Sequence, residues 1–375
     1  MIMIKTGVCN LPLHPGRCPP WLFKRMKKLG GFLSEIIIDE YGQKEYLKRL
    51  SDPYFFQAFG CVLGFDYHSS GLTTTVCGAL KEAINDADFG IKVAGGKKTA
   101  KRTPLEIENS FSLSTSNIQK LVYASKMTAK IDNSLVQDNY AIYSHTIIFT
   151  EEAEWAVIQQ GLNNNNSYAR RYHWLSDNVE SFVEEPHSAI CCDKKESDVL
   201  DMTNKNSEEA RKTSLDIVND NPQHLLKYFN GQALLNDFIG TDENNNKNNN
   251  HNIKRLHMPK SHFIINMRKT NIQTLQMAYE IQPKNYEELV AVKGVGPKTI
   301  RSLALISEIV YGAQASWKDP AKYSFAHGGK DGIPYPVDRK LYDNNINILK
   351  EALSNSKLGD KDRLHAIKRL SNFYQ

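Results

Sequence analysis

Apolar residues recur at helical spacing through the first quarter of the chain. One such stripe consists of Leu22, Met26, Leu29, Leu33 and Ile36. This spacing predicts an amphipathic helix. The Ser51-Asp52-Pro53 sequence is typical of a helix start, and we expect the helix that it opens to end near Gly64. A third helix is predicted from Gly71, because the residues after it again keep one face apolar.

The middle of the chain carries strand patterns. Residues 140–149 and 155–160 are β-prone and flank an acidic turn, so we predict a β-hairpin. In the simplest register of that hairpin His145 lies opposite Gln159.

The residues that follow predict a helix. Its apolar stripe consists of Tyr168, Tyr172, Leu175, Val179 and Phe182. A helix here places Arg170, His173 and Asp177 together on the opposite face.

These elements predict an α+β fold, and the sequence divides the chain into two domains with a polar segment between them. Residues 1–200 are predicted to form a mixed domain that contains the β-hairpin. Residues 201–265 are polar, and the tract 244–250 is almost entirely asparagine. Such a segment buries little apolar surface, so we expect a partly disordered linker or insertion. Residues 266–375 are predicted to form a mainly helical domain.

Composition adds a broad class to this picture. The 375 residues include 41% hydrophobic residues, which is typical of a globular protein and excludes a fully disordered chain. The 47 Lys and Arg against 42 Asp and Glu give a net charge of only +5, so local charge must indicate any anionic partner. The sequence has no long apolar run, no signal-peptide pattern and no C-x-x-C pair among its six cysteines. We therefore expect a cytoplasmic protein with reduced thiols and no membrane association.

Residues 289–300 carry the most specific motif. The sequence Leu-Val-Ala-Val-Lys-Gly-Val-Gly-Pro-Lys-Thr-Ile resembles the helix-hairpin-helix of proteins that bind DNA without reading its sequence. Glycines 294 and 296 permit a tight turn with positive φ, and Pro297 suits the first turn of the next helix. The N–H groups there favour a phosphate ligand. The predicted contacts are Gly294, Val295, Gly296, Lys298 and Thr299. The alternative is a glycine turn between two core helices.

Two other segments combine positive charge with glycine. Lys97, Lys98, Lys101 and Arg102 follow a Gly-Gly pair and predict a phosphate-seeking loop, although a solvated run of charge is an equal alternative. The P-loop spacing is absent, so nucleoside triphosphate binding is not indicated. His327 and Lys330 lie in a second glycine-rich stretch and are also candidate DNA contacts, with a simple connector as the alternative.

Carboxylates and histidines suggest a metal site in the mixed domain. Asp66 and His68 lie in a loop rich in hydroxyl groups, where helix capping is the alternative role for the hydroxyls. Asp132 and Asp138 precede the hairpin. Carboxylate oxygens suit Mg²⁺ or Mn²⁺, so we predict Asp66, Asp132 and Asp138 as ligands. His68 is the expected base or supporting residue, and His173 is a further catalytic candidate.

Several longer motifs resemble a known family. They are Lys5-Thr6-Gly7 with Leu11-Pro12-Leu13-His14, the run of residues 57–71, and the run of residues 324–332. Together they are similar to the prokaryotic family catalogued as domain of unknown function 763, and Gly95-Gly96-Lys97 and Asp132-Asn133 also fit its pattern. The family name does not state an activity that could be assigned to this chain. The resemblance does imply that Asp66, His68 and His327 are family features with a functional role.

The function expected from these patterns is DNA processing. The leading hypothesis is a metal-dependent nuclease that selects DNA structure rather than sequence, acting in repair or processing. The alternative is a noncatalytic DNA-binding adaptor that brings a repair or replication partner to DNA. A weaker alternative is an enzyme that processes RNA or nucleotides.

Overall fold

The predicted α+β class is confirmed by a computed structural model, which mixes helices with antiparallel sheets. The residues that it describes are 18–65, 71–87, 89–98, 100–110, 113–163, 168–192, 195–220, 270–321, 339–355 and 359–373. No helix among them is long and apolar enough to cross a membrane.

Helices account for most of the described residues. They are α1 (Pro20–Ser51), α2 (Pro53–Val62), α3 (Gly71–Asn85), α4 (Thr103–Glu108), α5 (Thr115–Ser134), α6 (Glu208–Asn219), α7 (Thr270–Ile281), α8 (Tyr286–Ala291), α9 (Pro297–Tyr311), α10 (Arg339–Asn355) and α11 (Asp360–Phe373). The first three agree with the predicted helices. Asp52 caps α2 as its sequence indicates, because its carboxylate accepts a hydrogen bond from the Phe55 N–H at 2.7 Å.

Strands lie mainly between α3 and α6. They are β1 (Ile91–Lys97), β2 (Val136–Gln137), β3 (Ala141–Thr150), β4 (Trp155–Asn163), β5 (Tyr168–Leu175), β6 (Ala189–Cys191) and β7 (Leu200–Asp201). An antiparallel five-stranded sheet has the order β1-β3-β4-β5-β6, and β2 pairs with β7 separately. The predicted hairpin is β3–β4, and its register places His145 opposite Gln159 as expected.

The helix predicted over residues 168–182 is wrong. This segment forms β5 up to Leu175, and a short 3-10 turn follows at Ser176–Asn178. The strand pairs with β4 along one edge and with β6 along the other, and packing against both faces of the sheet buries even Arg170, Arg171 and His173. A strand buried on both faces loses the alternation of polar and apolar residues that marks exposed strands, which explains why its apolar spacing matched a helix instead.

The sheet has helices packed on both faces. Ala156 and Ile158 of β4 belong to a hydrophobic core shared with α1, α2, α3, α10 and α11. The alternate residue Gln159 points to the other face, where its side chain reaches Asp132 of α5. The sheet therefore separates an apolar layer from a layer in which α5 contributes polar side chains.

The chain forms two compact units, and their boundaries differ from the predicted domains. Unit 1 contains residues 1–133, 139–195 and 320–375, and unit 2 contains residues 134–138 and 196–319. The helices α10 and α11 thus belong to the unit of the five-stranded sheet. The predicted linker begins within unit 2, because residues 208–219 form α6, which packs against α9.

Candidate functional site

In unit 2 the helices α8 and α9 are joined by a turn whose conformation depends on Gly294. Asn285 caps α8 by accepting a hydrogen bond from the Glu288 N–H at 2.8 Å, and the helix ends at Ala291. Gly294 has a φ of 96°. A Cβ on this residue would also lie 2.8 Å from Thr274 Oγ1. Both the backbone conformation and the packing therefore require glycine at this position.

Gly296 differs from Gly294, and the positive φ expected for it is wrong. Its φ of −143° and ψ of −172° describe extended backbone that other residues also adopt. A Cβ here would find no neighbour closer than 3.9 Å. Nothing within the described residues therefore demands glycine at Gly296. Its lack of a side chain leaves open space where an external group can approach the backbone.

The first turn of α9 leaves backbone donors open. Pro297 is the first helical residue, and the Ile300 N–H is already bonded to the Gly296 carbonyl. The N–H groups of Lys298 and Thr299 have no acceptor among the residues that the structure describes. Lys298 is exposed, whereas the side chains of Val295 and Thr299 are buried. Among the predicted contacts, these last two residues can therefore offer only their backbone to a ligand.

Gln137 of strand β2 holds the start of α9 in place. Its Nε2 donates to the Pro297 carbonyl at 2.8 Å, and its Oε1 accepts from Arg301 Nε at 2.8 Å. Arg301 also lies over the Trp317 ring, at 5.8 Å from the ring centroid. One amide thus fixes two successive turns of α9, a role that its sequence neighbourhood gave no reason to expect.

The predicted basic loop lies in unit 1, where β1 ends and α4 begins. We call residues 97–102 the basic segment. Lys97, Lys98, Lys101 and Arg102 are all exposed, and Lys98 has a positive φ of 60°. The Lys98 N–H donates to the Tyr143 carbonyl at 2.9 Å, which ties the segment to β3. Four cationic side chains therefore project from a fixed corner of the sheet.

The second predicted site centres on Asp132, which is fully buried near the end of α5. Its Oδ2 accepts hydrogen bonds from Gln159 Nε2 at 2.5 Å and from Trp174 Nε1 at 3.0 Å. Its Oδ1 accepts from His187 Nε2 at 2.5 Å. Three donors from three different segments thus converge on one carboxylate, and such bonds compensate for the burial of its charge.

The hydrogen bonds continue from Gln159 to Ser125. Because Gln159 donates to Asp132 through Nε2, its Oε1 is the acceptor for His145 Nδ1 at 2.9 Å. In the neutral ring His145 Nε2 accepts from the Ser125 hydroxyl at 2.8 Å. Burial lowers the pKa of His145 and favours that neutral form. We call these six side chains the Asp132 network: Ser125, Asp132, His145, Gln159, Trp174 and His187.

His187 ends the network on the other side. A carboxylate can only accept hydrogen bonds, so Nε2 carries the proton that is shared with Asp132. The other nitrogen, Nδ1, has no hydrogen-bond partner within the described residues and is not among their fully buried polar atoms. In the neutral ring this atom is an acceptor, and the His187 side chain around it is only 7% exposed. Sequence analysis missed His187 because the preceding residues had been assigned to a helix.

His173 does not join Asp132, although both were catalytic candidates. It lies on β5 and faces the apolar layer, where Arg171 Nε donates to its Nε2 at 2.8 Å and Phe56 packs edge-on at 5.7 Å. Burial and the Arg171 charge hold the pKa of His173 well below its usual value. Trp174, the next residue along the strand, points through the opposite face to Asp132. The sheet therefore separates these two candidates.

The remaining candidates divide between residues the structure describes and residues it does not. Asp138 is buried in unit 2 and takes part in at least one interaction. Asp66, His68, His327 and Lys330 lie outside the described residues. The described part of the chain contains no group of three or more His, Cys, Asp or Glu side chains suited to a metal ion. Asp132 already accepts three hydrogen bonds, and Asp66 lies outside the described residues. The metal site predicted from these residues therefore stays a prediction.

Comparison with known proteins gives one match. A family model described as "Protein of unknown function (DUF763)" matches residues 7–337. No curated protein and no solved structure matches the chain.

Proposed function

Because the chain belongs to the DUF763 family, whose description assigns no activity, we propose a function from the geometry alone: it binds the DNA backbone without sequence preference. The contact surface is the turn of residues 292–299, which we call the phosphate turn. The observation that carries the proposal is the combination of open N–H groups at Lys298 and Thr299 with the empty space above Gly296.

The chemistry of this surface matches a phosphate group. Helix N-termini favour anions, since their N–H groups point outward and the helix dipole adds positive potential. The exposed Lys298 adds a full charge at the same place. None of these groups can distinguish one base from another, so the binding is expected to depend on charge and not on sequence.

Introducing a negative charge at Gly296 tests the proposal. Gly296→Glu places a carboxylate where a phosphate approaches, and we expect the affinity for short duplexes to fall by at least about tenfold at equal salt. Gly359→Glu is the matched control, because a Cβ at Gly359 likewise meets no atom closer than 3.9 Å and that residue belongs to unit 1. Equal affinities for the two variants, measured by fluorescence anisotropy, would show that the phosphate turn is not the contact.

The basic segment is proposed as a second backbone contact on unit 1. Its four cations release condensed counterions when they meet phosphates, so the affinity should depend steeply on salt. Replacing Lys97, Lys98, Lys101 and Arg102 with Gln should reduce the slope of log affinity against log salt by up to about three. An unchanged slope would identify the segment as a solvated surface.

Metal-dependent cleavage of DNA is the second candidate function. It is favoured by the pairing of the buried Asp132 with His187, whose Nδ1 has no hydrogen-bond partner within the described residues. A histidine oriented by a carboxylate is suited to accepting a proton from water. Asp66, Asp132 and Asp138 remain the ligands expected from the sequence for Mg²⁺ or Mn²⁺, whose chemistry would be to lower the pKa of a bound water. His68 would assist as a base.

A panel of labelled substrates tests this second candidate. Single-stranded, flapped and branched DNA, with RNA counterparts, should be incubated with Mg²⁺, Mn²⁺ or a chelator. We expect cleavage of DNA structures that needs metal and is abolished by Asp66→Asn while DNA binding is kept. Absence of cleavage under every condition would favour the noncatalytic adaptor. Preferential cleavage of RNA would favour an RNA-processing enzyme.

A further inference from the structure

A cavity of about 530 Å³ opens on unit 1 beside the edge strand β1. Helix α3 contributes Lys81 and Asn85 to its wall, β1 contributes Lys92, and Arg102 stands where the basic segment enters α4. Leu105 of α4 and Asn109, which directly follows that helix, also line the cavity. Its volume lies within the range of about 300–1,000 Å³ found for small-molecule sites.

The charge of the cavity favours an anion. The lining includes three cations, Lys81, Lys92 and Arg102, and one carboxylate, Glu106. The Oε2 atom of Glu106 accepts from Lys81 Nζ at 2.6 Å and from the Gly95 N–H at 2.7 Å, and Lys92 Nζ donates to the Asn85 carbonyl at 3.1 Å. The Arg102 side chain is exposed and forms no hydrogen bond or ion pair with any other described residue. Its planar fork of donors is suited to a phosphate group.

The wall of the cavity is held in place by hydrogen bonds to the strand edge. The Asn85 amide donates to the Val93 carbonyl and accepts from the Val93 N–H, each at 2.8 Å. Lys81 Nζ donates to the Gly95 carbonyl at 2.8 Å. These side chains occupy the outward backbone groups of β1 and block the edge against another strand. The cavity is therefore formed before a ligand arrives, which reduces the entropy cost of binding.

Leu105 adds an apolar side chain to the lining of the cavity and is 59% exposed. Asn109 donates its Nδ2 to the Leu105 carbonyl at 2.8 Å, so its Oδ1 remains the side-chain atom that can accept from a ligand. A planar base can pack on Leu105 and be held at its edge by this oxygen.

We propose that this cavity binds a nucleoside phosphate, with the phosphate at Arg102, Lys92 and Lys81 and the base against Leu105. The ligand is either a free nucleotide or the end of a nucleic-acid strand. The second source rests on the proposed DNA binding, because the basic segment shares Arg102 and leads a phosphate backbone to the cavity. The first source does not depend on it.

Calorimetric titration of the full chain with adenosine monophosphate and with inorganic phosphate is the first test. We expect saturable binding of the nucleotide that Arg102→Gln weakens by about tenfold, since it removes charge-assisted hydrogen bonds. Lys101→Gln is the matched control: it removes the same charge one residue away, does not line the cavity, and should change the affinity less than about twofold. Leu105→Ala should weaken nucleotide binding and leave phosphate binding unchanged.

A second set of measurements distinguishes binding at this cavity from binding at the phosphate turn. Gly296→Glu should leave the affinity for adenosine monophosphate unchanged, so loss of duplex binding and loss of nucleotide binding can be scored independently. Single strands that differ only in a terminal phosphate distinguish the two sources, because only a strand-end site prefers the phosphorylated strand. Absence of saturable nucleotide binding, or equal weakening by Arg102→Gln and Lys101→Gln, overturns the proposal. Equal affinities for phosphate and nucleotide overturn the assignment of a base to Leu105.

Discussion

The Asp132 network and the phosphate turn use hydrogen-bonding groups in opposite ways. Around Asp132, three donors from three segments meet one carboxylate inside the protein. At the phosphate turn, the Lys298 and Thr299 N–H groups meet no acceptor among the described residues. A satisfied buried network stabilises a fold, whereas donors left open at the surface are available to a ligand. The difference indicates that polar groups near Asp132 hold unit 1 together, while the N–H groups near Gly296 are left available for the proposed contact with DNA.

The largest expected effect comes from removing the central acceptor. Asp132→Leu leaves donors on Gln159, Trp174 and His187 without their partner, and we expect unit 1 to lose about 3–5 kcal/mol of stability. Thermal unfolding followed by circular dichroism measures the loss. Asp177→Asn is the control, because Asp177 is exposed and its ion pair with Lys44 should contribute less than about 1 kcal/mol. Similar melting temperatures for the two variants would refute the structural role of Asp132.

Acidification should weaken the same unit. Burial lowers the pKa of both His145 and His173 in the folded state, so the unfolded state binds more protons once the pH falls below about 6.5. The stability that the two neutral histidines contribute is therefore present above that pH and is lost as the pH falls. Chemical denaturation at pH 7.5 and 5.5 measures this loss. His145→Asn, whose Nδ2 can still donate to Gln159, should reduce the pH dependence.

The two glycines of the turn sharpen the comparison within unit 2. Gly294→Ala should cost about 1–3 kcal/mol, because it combines a positive φ with a contact at 2.8 Å from Thr274. Gly296→Ala should change stability by less than about 0.5 kcal/mol and still weaken DNA binding. Unfolding curves and duplex affinities measured on both variants separate the two effects. If Gly296→Ala proved to be the destabilising change, Gly296 would have a packing role instead.

The smallest expected effect concerns the residue that holds α9. Gln137→Leu removes the hydrogen bonds to Pro297 and Arg301, and we expect a loss of about 1 kcal/mol in unit 2. DNA affinity should fall a few-fold, since the turn is no longer held in one orientation. Gln137→Glu keeps the acceptor for Arg301 but not the donor for Pro297, and it should have an intermediate effect. Unaltered affinity in both variants would show that α9 keeps its position without this amide.

Local patterns in the sequence predicted those parts of the site that local patterns control. The alternation and turn of the β3–β4 hairpin were enough to place His145 opposite Gln159. The convergence on Asp132 was not predictable in this way, because Trp174 lies on a strand that resembled a helix and His187 lies 55 residues from its partner. The open donors at Lys298 and Thr299 follow from the Gly-Pro helix start. By contrast, the sign of φ at Gly296 could not be predicted, because glycine adopts positive and negative φ about equally well.

Unit 1 is built from three separate stretches of the chain, and their order in the sequence determines when its core can form during translation. Its hydrophobic core includes Leu349, Leu353 and Leu370 from α10 and α11, packed with helices made at the start of the chain. While a ribosome is still translating those last helices, every segment of unit 2 has already been made. The core of unit 1 therefore keeps leucine and phenylalanine side chains exposed until α10 and α11 have been translated. During that interval the nascent chain is a natural client for a chaperone that shields apolar surface.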